Sequence, residues 1–152
     1  SLRSADLLDD SGRPTSRYIP GTSLRLRVEF ETTGLPGLTL EVVLRDHHNI
    51  AVAYYNSNNF SQIVLPAEAG RYGCTLSLDA HWLAAGEYGI DLATAVPNIM
   101  TDHQVANAVR FTVDACSPNG IPFNFEQTLG LGHHAMLLSA PLKFTPLPPA
   151  KA

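Results

Sequence analysis

Cysteine is nearly missing from this 152-residue chain: Cys74 and Cys116 are the full complement. Two thiols cannot build a disulfide framework, and their spacing is not that of a zinc site. Cys74 falls on the inward phase of an alternating run, where cysteine behaves as a small hydrophobe. Both are expected to be free thiols in a reducing compartment. Charge is also scarce. Only 16% of residues are Asp, Glu, Lys or Arg, and the formal net charge is −4. That balance argues against nucleic acid or an anionic membrane surface as the main partner. No apolar run reaches the length of a membrane span, so direct membrane insertion is not expected, and no signal peptide opens the chain. Ser1 stands first in place of Met, which reads as an excised domain with further sequence upstream.

Catalytic signatures are equally absent. The glycines lie at turns, and none opens a phosphate loop ending in Lys-Ser or Lys-Thr. There is no G-x-S-x-G elbow and no Cys–His nucleophile context. Nothing singles out a pair of carboxylates. The six histidines do not fall at ligand spacing. His47 and His48 are adjacent, as are His133 and His134, while His81 and His103 lack a Cys or carboxylate at the right offset. The expectation is no enzyme, no metal and no cofactor.

What the chain does have is 45% hydrophobic residues, arranged with a period of two. That is enough apolar material for one domain with a genuine core. In "SLRLRVEFE", Leu24, Leu26, Val28 and Phe30 alternate with Arg25, Arg27, Glu29 and Glu31. Successive strand side chains face opposite ways, so one face is buried and the other wet. The runs "GLTLEVVLRD", "NIAVAYY", "RYGCTLSL", "GEYGIDLATA" and "AVRFTVD" repeat the pattern, and "SLRSADLLD" reads as an edge strand. Turn chemistry separates them: "DDSGRP", "TTGLPG", "DHHN", "YNSNN" and "AVPN". The one short helical candidate is "LDAHWLAAG". Seven short alternating strands with frequent turns indicate an all-β fold, an immunoglobulin-like antiparallel β-sandwich.

Such sandwiches often carry a tyrosine corner, and "LAAGEYGIDLA" suits one. Leu83 plugs the core, Gly86 permits the tight turn, and Tyr88 buries its ring while its hydroxyl finds a backbone acceptor. These three are structural residues. Residues 1–114 make the sandwich. Residues 115–152 read as a Gly/Pro-punctuated extension, with "AMLLSAPLKF" as one further apolar strand that needs a surface, on its own domain or on a second copy.

A binding face is better supported than a catalytic centre. In an immunoglobulin arrangement the strands over 37–46, 86–95 and 108–114 share one sheet. Their outward residues are Glu41, Val43 and Arg45, then Gly89, Asp91, Ala93 and Ala95, then Arg110 and Thr112. Small side chains floor the middle strand and longer polar ones flank it, which makes a shallow groove. Sugar hydroxyls favour planar bidentate partners such as Asp, Glu, Arg and Asn. Tyr55, Asn56, Asn58 and Asn59 can supply a ring and amides at one rim, and Asp102 and His103 can supply another. The plainer alternative is that these are solvated faces and turn formers. Trp82 either caps the sandwich or stands out as a platform.

Several of these motifs occur in the order found in one family. "LLDDSGRP", "PGTSLRLRVEFET", "LEVVLRDHHNIAVAYYNSN", "LPAEAGRYGCTLSL", "LAAGEYGIDLA" and "DHQVANAVRFTVD" together resemble the C-terminal domain of the ATP-binding subunit of O-antigen ABC exporters, the Wzt type. The resemblance covers residues 1–114. It implies a cytoplasmic sandwich, held at the inner membrane through its transporter, that recognises the terminus of a finished O-antigen polysaccharide. Its partners would be the transporter's ATPase and membrane subunits, in lipopolysaccharide biosynthesis. The resemblance also implies a homodimer with exchanged C-terminal strands. The projected glycan contacts are Glu41, Arg45, Tyr55, Asn58, Asp91, Asp102, His103 and Arg110. Two other readings stay open: a structural or dimerisation module without a ligand, and an accessory carbohydrate-binding domain of a secreted enzyme.

Overall fold

Alternation of apolar and polar side chains decides this architecture. In the computed structural model, which describes residues 1–78 and 80–122, every alternating run is a strand. The strands are β1 (Leu2–Leu8), β2 (Arg17–Tyr18), β3 (Leu24–Thr32), β4 (Thr39–Asp46), β5 (Ala51–Asn56), β6 (Gly70–Leu78), β7 (Gly86–Val96) and β8 (Met100–Val113). They form a three-stranded sheet, β1-β3-β6, and a five-stranded sheet, β2-β8-β7-β4-β5. Every pairing is antiparallel except the two-residue contact of β2 with β8, which is parallel.

The two sheets pack face to face. Leu7, Leu26, Val28 and Phe30 of one meet Leu40, Val42, Ile90, Leu92 and Phe111 of the other in a single core. Leu26 and Val28 have no exposed surface, and full burial of such side chains is worth roughly 2 kcal/mol each. The outer face of the three-stranded sheet is polar and internally paired, with Arg27 on Asp6, Arg3 on Glu31 and Arg71 on Glu29. The fold is thus the all-β sandwich expected from the alternation.

The tyrosine corner forms as its sequence suggests. The Tyr88 hydroxyl donates to the Ala84 carbonyl at 2.7 Å, in a buried setting. Leu83 is buried at the turn. Gly86 has φ +150 with open space where a Cβ would stand, so its role is conformational and not steric. The Tyr88 ring stacks on Phe111 at 5.8 Å. Burial, helped by the Asp46 charge, pushes the Tyr88 phenol up to about 12.

Three expectations need correction. Residues 80–85 of "LDAHWLAAG" form turns and bends, not a helical turn. The described helix is α1 (Ser57–Ser61), in the Asn-rich stretch. Asn56 caps it, its side-chain oxygen accepting from the Asn58 and Asn59 amides. Finally, β8 begins at Met100, well before the alternating "AVRFTVD". Two register shifts against β7 hide its first half from a period-two reading. The stretch "AMLLSAPLKF", and with it the expected further strand, lies outside the described residues.

Candidate functional site

The outward residues of β4, β7 and β8 do share one face. Cross-strand partners include Val43 with Asp91, Arg45 with Gly89, and Gly89 with Arg110. At the end of this face nearest the β4–β5 turn lies a polar basin of about 540 Å³. Gly89, with the Asn107 side chain over it, forms its floor, Glu87 and Arg110 flank it, and Asn49 and His47 also line it.

Two elements shape the basin. The first is the β4–β5 turn, where the Asp46 side chain accepts from the His48 and Ile50 amides at 2.9 and 3.0 Å. Asn49 takes φ 63 there, a conformation Asn tolerates well. The second is a bulge in β8. Ile90 pairs with Val109 but Leu92 pairs with Val105, so β8 carries extra residues opposite Asp91. Asn107, with φ 48, sits at this bulge. Its side chain lies over Gly89: a Cβ at Gly89 would collide with the Asn107 Oδ1.

One ion pair holds both elements in place. Arg45 Nε donates to Asp91 Oδ2 at 2.6 Å, and Arg45 Nη1 donates to the Asn49 carbonyl at 3.1 Å. Asp91 Oδ1 accepts from the Asn107 amide at 2.8 Å. Both oxygens of Asp91 are therefore engaged within the fold, and the residue is buried. Arg45 and Asp91, expected as ligand contacts, instead brace the walls of the basin. Arg110 differs. Among the described residues its exposed side chain makes no hydrogen bond or ion pair, and neither does that of Glu87.

The remaining expected contacts do not join this basin. Glu41 lies on the same face but four residues along β4 from Arg45, roughly 13 Å away by strand rise. It accepts from Asn56 Nδ2 at 3.2 Å and from the Tyr54 hydroxyl at 3.3 Å. Burial, with the Glu41 charge, raises the Tyr54 phenol above its ordinary value. Asn58 is exposed on α1, at that same far end. Tyr55 points the other way, because it pairs with inward-facing Val42. The ring on the Glu41 face is Tyr54, one residue earlier, since a one-residue step exchanges faces. Tyr55 instead borders a second, mostly apolar cleft of about 520 Å³ between β5 and β6, with Trp82, Leu76, Leu78 and Ile90. Its hydroxyl contacts Ser61 Oγ at 2.9 Å.

Asp102 and His103 serve the chain start. His103 Nδ1 accepts from the Leu2 amide at 2.9 Å, Asp102 accepts from Thr94 Oγ1 at 2.8 Å, and the Ser1 ammonium lies 3.6 Å from Asp102. They tie β1 to the β7–β8 hairpin. Sequence reasoning missed Glu87, Asn49 and Asn107. Asn107 left a signal: it is the one polar residue on the apolar phase of "VANAVRFTV", which marks the bulge. Among the described residues no cluster of His, Cys, Asp or Glu could hold a metal ion. Cys74 and Cys116 are free thiols. Again among the described residues, no helix is long and apolar enough to cross a membrane.

No protein-family model matches the chain, and neither does any curated protein. The structure is similar to a crystal structure of the C-terminal domain of Wzt. The TM-score is 0.53 at 10% sequence identity, over 74% of this chain and 72% of that one. At this identity the likeness is one of fold.

Proposed function

We propose that this chain is a carbohydrate-recognition domain that binds the terminus of an O-antigen polysaccharide and presents it to an ABC exporter. The reading is supported by the order of the sequence motifs and by a likeness of fold to the C-terminal domain of Wzt. The observation that carries it is the polar basin, lined by Arg110 and Glu87 on either side of the Asn107 side chain, with both charges unpaired among the described residues. Paired surface charges fill each other's hydrogen-bonding capacity, whereas these two leave donors and acceptors for a hydroxylated ligand. Held walls and a small floor pre-organise the site, which lowers the ordering cost of binding.

The domain does no chemistry of its own in this proposal. It acts on the cytoplasmic side of the inner membrane, tethered to the exporter's ATPase and membrane subunits, and raises the local concentration of finished polymer there. Affinity for an isolated chain end is weak, because sugar–protein hydrogen bonds replace sugar–water ones. The test is calorimetric titration of the domain with the O-polysaccharide of its own source organism, intact and with its terminal residue removed. Binding to the intact polymer that drops at least tenfold on trimming, and again in an Arg110→Ala variant, supports the proposal. Equal binding to both forms, or none to either, refutes it.

A second reading, a dimerisation module, draws on the apolar cleft between β5 and β6 and on the exposed Phe60 and Ile63 beside it. Sedimentation of wild type against a Phe60→Ser, Ile63→Ser double variant tests that reading. A dimer that dissociates in the variant favours it, and a wild-type monomer removes it.

A further inference from the structure

We infer that Glu87 and Arg110 act as a pair that selects an uncharged, hydroxyl-rich ring and that Glu87 turns acidic sugars away. The inference rests on the carbohydrate reading of the basin and adds the ligand's charge class to it. Glu87 pairs with Thr112 and Gly89 with Arg110 across β7 and β8. That register makes Glu87 and Arg110 diagonal neighbours on one face, roughly 7 Å apart at their Cβ atoms. Elsewhere on the molecule, opposite charges on adjacent strands close into ion pairs: Arg27 with Asp6, Arg71 with Glu29, Arg45 with Asp91. Glu87 and Arg110 do not close on each other. Between and beside them stand Gly89, with no side chain, and the Asn107 amide folded over it.

A hydroxylated ring seated against the Asn107 side chain, between Glu87 and Arg110, satisfies both groups at once. One hydroxyl donates to the Glu87 carboxylate while another accepts from the Arg110 guanidinium. An acidic ring gains one cation but meets two carboxylates, because Asp46 also lines the basin with Glu87. Repulsion built into a site discriminates as effectively as attraction. The charge balance of the lining therefore favours a neutral ligand, even though its most conspicuous free group is an arginine.

The experiment is an NMR titration of the nitrogen-15-labelled protein with methyl glucoside, methyl galactoside and methyl mannoside, and with the methyl glycosides of the three matching uronic acids. The neutral glycosides are expected to shift the Gly89, Asn107 and Thr112 amides. The best neutral glycoside should bind about fivefold to tenfold more tightly than its uronic acid at neutral pH. Glu87 is exposed, so Glu87→Gln leaves the fold intact. It should erase that preference and weaken neutral binding about twofold to fivefold, because an amide oxygen replaces the carboxylate as the hydroxyl's acceptor. A uronic acid that binds the basin as tightly as its neutral parent, or more tightly, overturns the selection by Glu87 but leaves the sugar site standing. Titrations in which no glycoside moves the basin amides remove the site and the selection together.

Discussion

Replacing Tyr88 with Phe removes one oxygen atom and tests the corner through its pH dependence. The hydroxyl donates to a buried Ala84 carbonyl at 2.7 Å, so the variant loses a hydrogen bond and leaves that acceptor without a partner. At neutral pH this costs about 1–2 kcal/mol. The phenol, pushed up to about 12, adds a second effect at alkaline pH. Below pH 10 or so the group is neutral in both states and contributes no slope. Between about pH 10 and about pH 12 the unfolded chain releases the proton while the folded chain keeps it, so wild-type stability falls. Above that window the loss levels off. The gap between about 12 and the ordinary 10.0 corresponds to roughly 3 kcal/mol in total. The variant has no such proton. Its neutral-pH deficit should therefore shrink as pH rises and cancel near pH 11, within about half a unit, after which Tyr88→Phe becomes the more stable protein. Paired urea melts across this range, with equal m-values, supply the difference curve, in which titrations common to both proteins cancel. A difference that stays flat from pH 8 to about pH 12, or a variant that loses nothing at neutral pH, refutes the buried, carbonyl-bound phenol.

The remaining predictions concern the corner glycine and the basin. Gly86→Ala should lose about 1–2 kcal/mol through its φ of +150 alone, with no change in the melt's slope. Urea unfolding checks both quantities. Arg45→Met should lose about 2 kcal/mol, because Asp91 stays buried with one donor gone, a figure kept modest for the partial exposure of Arg45. Amide exchange at Asn107 should accelerate with it, since that amide bonds the same carboxylate. Gly89→Ala should change stability by less than about 1 kcal/mol, because the group in the way is a side-chain end that can swing aside. The displaced Asn107 side chain should cut binding of neutral glycosides at least threefold, roughly the worth of one hydrogen bond, read in the NMR titration.

The proposed site differs in kind from the rest of the surface. The three-stranded sheet presents charges that neutralise each other across strands, as on an ordinary solvated face. On the five-stranded sheet the ion pair of Arg45 with Asp91 braces a turn and a bulge, while among the described residues the side chains of Arg110 and Glu87 stay unpaired. The braces read as contacts in the sequence because alternation reports which face a residue is on, not what it touches.

Local chemistry alone specified most of the architecture. A period of two assigns each strand residue to a face, so Leu26, Val28, Leu40, Ile90 and Phe111 were recognisable as core without coordinates. The corner at Leu83, Gly86 and Tyr88 was legible for the same reason, since its partners lie within a few residues of one another. The site was only half legible. Arg110 and the Gly89 floor follow from alternation, but the bulge that folds Asn107 over Gly89 depends on how β8 registers against β7. Whether a charge is spent on a neighbour or left for a ligand is also decided across strands. Tyr54 and Tyr55 could not be told apart until the pairing with Val42 and Val43 set their faces. Period and turn chemistry are properties of adjacent residues. Register, bulges and charge pairing are properties of residues brought together from distant parts of the chain, and only the tertiary structure decides them.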